Sequence, residues 1–235
     1  MKEFRYAFTL AEVLITLAII GVVAALTIPS VIKNYQKKAT ITSLKKSYST
    51  MQNAAKLAMA DDNVSNFTDT HFYSFLNRPF SHTGIEPKQE IVNKYFQNAR
   101  VLESGSYYKP IQGPEAHGIN LSHGYRIDFP SFTYYINTDT YDGLMLVYVD
   151  TNGADKKPNV VGKDLFAFVI TNPDINITEP YTVRHSGGWI MDYYHSYLHY
   201  ALRGGYSKVL DPCERGGAYT CFKQIVDDQW EIKYY

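Results

Sequence analysis

From Val13 to Ile28 no residue is charged, and apolar side chains fill nearly every position. Continued to Ile32, before Lys33, it is long enough as a helix to span a bilayer, for which about 20 apolar residues suffice. Beyond Pro29 the pattern changes. Ile41, Leu44, Tyr48, Met51, Ala55 and Ala58 recur at intervals of three and four, the stripe of an amphipathic helix. Lys33, Lys37, Lys38, Lys45, Lys46 and Lys56 occupy other positions, and no acid occurs between Glu12 and Asp61. The two patterns predict one long helix from about Thr9 to Met59, kinked or loosened at Pro29, where a backbone donor is missing. Asp61-Asp62-Asn63 ends the pattern. Asn66 to Pro79 and Glu90 to Val101 read as shorter helices. From Gly105 the pattern turns to β, with strands expected over Tyr125 to Asp128, Phe132 to Asn137, Leu144 to Val149 and Leu165 to Thr171. Asn152-Gly153 is a strong turn signal between the last two. Trp189 to Leu202 reads as helical, with Ile190, Tyr194, Tyr197 and Leu198 near one face. A long helix followed by antiparallel strands predicts an α+β head.

Composition adds little to this picture at first. The 235 residues hold 23 basic and 23 acidic side chains, so the chain as a whole is no polyanion binder. The 21 tyrosines fit half-buried strands better than an adhesive surface. The two cysteines, Cys213 and Cys221, read as a disulfide in an exported chain and as two thiols in a cytosolic one.

Glu12 changes the picture. A carboxylate in a membrane-grade run costs about 2.5–3.5 kcal/mol at a helix centre and less near an end, so it needs a partner. A secretory signal has a shorter apolar core with its cleavage site behind it. A plain anchor leaves Glu12 unexplained. The segment Ala7-Phe8-Thr9-Leu10-Ala11-Glu12-Val13-Leu14 resembles the class III signal of type IV pilins and type II secretion pseudopilins. The resemblance runs from Ala7 to about Tyr35. It implies cleavage between Ala7 and Phe8 by a prepilin peptidase, with Ala7 where the family usually has Gly. It also implies N-methylation of Phe8 and an acid at Glu12. Gly21 and Pro29 match the helix-weakening positions. The physics fits: cleavage frees the Phe8 α-amine, and an ammonium from one subunit can pair with Glu12 of its neighbour, offsetting two desolvation costs and setting register. Lys33, Lys37 and Lys38 lie on the side that the positive-inside rule would keep in the cytoplasm. An outward head therefore rests on the resemblance, with support from the cysteine pair.

Two head segments carry further expectations. Asp150-Thr151-Asn152-Gly153-Ala154-Asp155, continued by Pro158-Asn159 and Gly162-Lys163-Asp164, resembles a stretch of pilin-like heads. Asp150, Asn152, Asp155 and Asp164 are oxygen ligands of the kind Ca²⁺ takes, six to eight at a time. The spacing lacks the bidentate Glu of an EF-hand, and the competing reading, that these side chains cap their own backbone, is preferred. The loop between Cys213 and Cys221 resembles the C-terminal disulfide loop of type IV pilins. His195 and His199 have i,i+4 spacing, with His185 or Asp192 as a third zinc ligand, but the H-E-x-x-H glutamate is absent. Ser186-Gly187-Gly188 is no nucleophile elbow, and no phosphate loop or dinucleotide fingerprint occurs.

The expected organisation is a leader at 1–7, a transmembrane and assembly helix at 8–32, an amphipathic continuation at 33–60 and a globular α+β head at 61–235. The expected role is a non-enzymatic pilin or pseudopilin subunit, minor rather than major because the head is large, with no cofactor required and Ca²⁺ as the open alternative. The resemblance implies as partners the prepilin peptidase, other subunits of a helical fibre and an inner-membrane assembly platform. It places the chain in the lipid bilayer of the inner membrane before assembly, and in a periplasmic or extracellular fibre afterwards. Rival readings are a binding module, either a fibre-tip adhesin or a DNA-uptake subunit that uses the tyrosines and the stem lysines on nucleic acid, and a membrane-anchored zinc hydrolase built on His195 and His199.

Overall fold

The structure is a computed structural model that describes residues 9–76, 89–103, 106–111, 119–121, 125–137, 144–171, 183–184, 191–192, 213–215 and 217–235. The chain divides into two compact units, Met1–Ala39 and Thr40–Tyr235.

Helix α1 runs over Leu10–Asp62 and is continuous through Pro29. From Leu10 to Ile32, within the first unit, it shows exposed apolar side chains all round. Leu10 is 77% exposed and Leu26 75% exposed. It is the one stretch among the described residues long and apolar enough to cross a membrane. Thr16 and Thr27 donate their hydroxyls to Glu12 O and Val23 O one turn back, both at 2.9 Å. These two hydroxyls are therefore satisfied within the helix, as a lipid-embedded helix requires.

In the second unit α1 buries Ser43, Leu44, Ser47, Met51, Ala54, Ala55 and Ala58. Leu44, Met51, Ala55 and Ala58 belong to the expected stripe. The additional positions are small, so the backbone of the helix approaches its sheet. Ser43 Oγ donates to Ser131 O at 3.1 Å, and the Tyr134 hydroxyl donates to Ser47 O. The helix ends where its polar triplet predicts. Asn63 is left-handed (φ 51°), its N–H bonds to Ala60 O at 3.4 Å, and Val64 N–H bonds to Met59 O at 3.1 Å. This is a Schellman stop.

Helix α2 (His71–Leu76), preceded by a 3₁₀ turn at Phe67–Asp69, lies within the expected second helix. Helix α3 covers Gln89–Tyr95 only. The helix expected to continue to Val101 instead gives way to a strand, β1 (Arg100–Glu103). Asn98 (φ 58°) turns the chain, and the Gln89 side chain bonds Ala99 O and Val101 N–H at 2.8 Å each, holding the strand start against the helix.

Four further strands complete an antiparallel sheet of order β1-β4-β5-β6-β7: β4 (Tyr125–Asp128), β5 (Thr133–Asn137), β6 (Leu144–Asp150) and β7 (Leu165–Thr171). These four match the expected strands to within a residue at each end. The short pair β2 (Ser106–Tyr108) and β3 (Ile119–Leu121) forms a second ladder, and β8 (Val183–Arg184) pairs with β9 (Met191–Asp192). Strand β9 replaces helix at two positions of the expected Trp189 to Leu202 segment; the rest of that segment lies outside the described residues.

The register places Tyr134, Val149 and Phe166 in one row and Ile136, Val147 and Phe168 in the next. This face packs on α1 and on α4 (Ala218–Asp227): Phe168 meets Tyr48 and Phe222 with ring centroids at 6.1 and 6.0 Å. The opposite row, Tyr135, Tyr148 and Ala167, is buried too, and Tyr135 bonds Tyr108 through their hydroxyls at 3.0 Å. Tyr73, Tyr108, Tyr134, Tyr135, Tyr148 and Tyr219 are all core residues.

Candidate functional site

The start of α1 is built by a reciprocal pair of contacts. Thr9 precedes the first helical residue, and Glu12 is the third inside it. The Glu12 carboxylate accepts the Thr9 N–H at 2.8 Å and the Thr9 hydroxyl at 2.9 Å, while Glu12 N–H donates to Thr9 Oγ1 at 3.3 Å. This is a capping box, and it sets a negative charge at the positive end of the helix. Glu12 therefore has a partner in its own chain before any neighbour arrives. Sequence reasoning missed it, although Thr9-Leu10-Ala11-Glu12 carries the T-x-x-E signal in full. Ala7 and Phe8 lie outside the described residues, so the expected cleavage site and the amine partner carry no geometry here.

The two helix-weakening positions differ. Pro29 lies inside α1 and denies it one backbone bond. At Gly21 an added Cβ would meet nothing within 4 Å, so nothing in the first unit demands a glycine there.

In the second unit the β6–β7 connection joins the Asp150 loop to the cysteines. The Asp150 carboxylate is buried and accepts Asn152 N–H and Gly153 N–H at 3.0 Å each and the Tyr108 hydroxyl at 2.6 Å. Asp164 is buried as well and accepts Asn159 N–H and Val160 N–H, both at 2.6 Å. Burial pushes both carboxyls above the ordinary aspartate value of 3.8, Asp164 to about 7 with Asp150 as second cause. Burial, followed by the Asp150 charge, raises the Tyr108 hydroxyl as well. Asn152 Nδ2 donates to Lys157 O at 3.0 Å. Asp155 is 88% exposed and stands 3.8 Å from Arg126.

Four backbone N–H groups point their positive ends at the two buried carboxylates, and Asp155 stands beside the Arg126 guanidinium. The arrangement is that of Asp side chains capping their own loop. Among the described residues no group of three or more His, Cys, Asp or Glu is placed to hold a metal. His185, His195 and His199 lie outside the described residues, and of Asp192 only the backbone is described.

Cys213 and Cys221 form a disulfide, with Cα atoms 4.6 Å apart. It is buried beneath Gly162, which sits at φ +82°; a Cβ there would lie 2.6 Å from Cys221 Sγ and 3.0 Å from Cys213 Sγ. The loop can close on the disulfide only with glycine at this position. The Tyr234 hydroxyl donates to Gly162 O at 2.7 Å, tying the C-terminal segment to the same point. That dependence could not be read from residue spacing, because it joins positions about 50 and 70 residues apart.

Residues 5–28 match the family described as the prokaryotic N-terminal methylation motif. The chain thus carries the prepilin cleavage and methylation segment typical of type IV pilins and type II secretion pseudopilins, on a long helix followed by an antiparallel sheet. No curated protein matches the chain, and no solved structure matches it.

Proposed function

We propose that this chain is a structural subunit of a type IV pilus or a type II secretion pseudopilus, cut between Ala7 and Phe8 by a prepilin peptidase and methylated at Phe8. It enters the inner membrane through residues 8–32 with its head outside the cytoplasm, and an assembly platform then adds it to a helical fibre. The size of its head favours a minor subunit. The observation that carries the reading is the methylation motif on a helix start whose apolar side chains are exposed in every direction. Such a surface needs lipid first and neighbouring helices afterwards.

In this reading Glu12 has two partners in turn. Its capping contacts with Thr9 hold it in the lone subunit, and the Phe8 ammonium of the adjoining subunit pairs with it in the fibre. The subunit works without catalysis and without a cofactor, its loop at Asp150 being held by protein donors. Six buried tyrosines are core residues and cannot stack on nucleic acid, which counts against the DNA-uptake alternative.

The test is Glu12→Gln in the full chain in its host. We expect the variant to insert in the membrane and to be lost from the fibre fraction by at least about tenfold, the loss of one buried charge pairing. Normal incorporation would remove the proposed role of Glu12.

A further inference from the structure

We propose that Asn63 is the attachment site of an N-linked oligosaccharide, with Ser65 as the hydroxyl that marks it for transfer. The inference rests on the outward head of the reading above, because this acceptor chemistry belongs to exported chains.

The pattern Asn-x-Ser/Thr, with x other than Pro, occurs at Asn63-Val64-Ser65, Asn66-Phe67-Thr68, Asn120-Leu121-Ser122 and Asn176-Ile177-Thr178. Asn, Ser and Thr are common residues, so the pattern alone selects nothing. The fold does. In the second instance Phe67 is buried, Thr68 Oγ1 is buried with it, and Asn66 Nδ2 already donates to Asp69 Oδ2 at 3.3 Å. In the third, Asn120 lies in the β2–β3 ladder opposite Tyr107. The fourth lies outside the described residues.

The first instance is open. Helix α1 ends at Asp62, and Asn63 follows it with a left-handed backbone at φ 51°. Backbone groups make the stop: Asn63 N–H bonds to Ala60 O and Val64 N–H to Met59 O. The base of the turn is braced from both sides, since Asp62 accepts His71 N–H at 2.7 Å and Asp61 pairs with Lys94 Nζ at 2.9 Å. Asn63 and Ser65 are exposed, with half-buried Val64 between them. Neither the Asn63 amide nor the Ser65 hydroxyl bonds another of the described residues. The left-handed turn explains an Asn or Gly at position 63. It gives no reason for a hydroxyl at position 65.

The donor is an oligosaccharide carried on a lipid pyrophosphate, delivered by a membrane transferase. A bond forms between Asn63 Nδ2 and the sugar C1, and the bond from C1 to the pyrophosphate oxygen breaks. The lipid pyrophosphate leaves with the bonding electrons, and the amide gives up one proton. Resonance ties up the lone pair of an amide nitrogen, so the enzyme must grip and orient its acceptor, and the Ser65 hydroxyl is the handle. Asn63 has no side-chain bond to surrender first, whereas Asn66 has. The product is a bulky, hydrated group on the head surface at the end of α1.

The experiment takes full-length chain from the envelope of its host. Mass spectrometry, with fragmentation that keeps sugars attached, reads both the position of any modification and the N-terminus. We expect an oligosaccharide on Asn63. Ser65→Ala should abolish it and Ser65→Thr should keep it. Asn63→Asp should abolish it while allowing the left-handed turn, and an unchanged melting temperature with intact disulfide would show that each variant folds. Bare Asn63, a sugar on Asn66 instead, or a sugar placed on Ser65 and retained in Asn63→Asp would each overturn the proposal. Bare Asn63 on a chain that begins at Phe8 overturns this inference alone. A chain that still begins at Met1 overturns the processing in the reading above, whatever Asn63 carries.

Discussion

Leu14 and Leu44 lie on the same helix and face opposite situations. Leu14 is 58% exposed, in a stretch with apolar side chains on every side, and Leu44 is wholly buried beneath a sheet of its own chain. The second region closes its hydrophobic account within the subunit. The first cannot, and whatever covers it must come from outside. One helix thus carries two kinds of instruction: residues that fold this chain, and residues that address it to lipid and to other chains.

The sharpest way to break that distinction is to truncate one side chain in each region. Phe168 is wholly buried and packs on Tyr48, Tyr134 and Phe222. Phe168→Ala should cost the head about 3–5 kcal/mol. Leu14→Ala should leave the melting temperature of the head unchanged and act only on membrane and fibre partition. A matching loss of head stability from both variants, measured by denaturant unfolding, would erase the difference between the regions.

The disulfide supplies the next effect. Replacing Cys213 and Cys221 with Ser should cost about 2–3 kcal/mol and free the loop around Gly162, with no change in membrane insertion. Insertion and stability falling together would contradict the separation.

A comparable effect comes from pH. Folded Asp164 binds its proton more tightly than the unfolded chain, with its carboxyl at about 7 against 3.8. The folded state is therefore favoured at low pH, and this contribution is lost as pH rises from about 4 through about 7. Asp150 shifts in the same direction. The head should melt at a lower temperature at pH 8 than at pH 5, and Asp164→Asn should flatten the slope. A melting temperature that rises over this interval would refute the assignment. The first region should show no such dependence in its membrane partition.

The same contrast explains what could be read in advance. Periodicity made α1 and the four strands β4 to β7 legible, because burial on one face repeats every 3.6 or 2 residues. The apolar run of α1 and Glu12 were legible because charge in such a run is rare. Strand β1 was not, since Arg100 and Val101 continue a helical pattern that Asn98 interrupts by its left-handed backbone. Strands β2 and β3 are three residues each, too short for a period to show. The four candidate oxygen ligands near Asp150 were legible as a cluster, but their use was not. Whether a carboxylate faces an ion or a backbone N–H depends on the path of Asn159 and Val160, which the donor types alone do not reveal. Gly162 is legible only as part of the loop, because the reason for a glycine there is a disulfide distant in the chain. The capping role of Glu12 was overlooked for a different cause: the acid invited a partner from outside, and Thr9 supplies one from three residues away.

The central claim is that residues 5–28 act as a processing and assembly segment. Mass spectrometry of the chain purified from its host envelope tests it most directly. The account predicts a mature chain that begins at Phe8 and bears an N-methyl group. A chain that still begins at Met1, or one cut behind the apolar run, would contradict it.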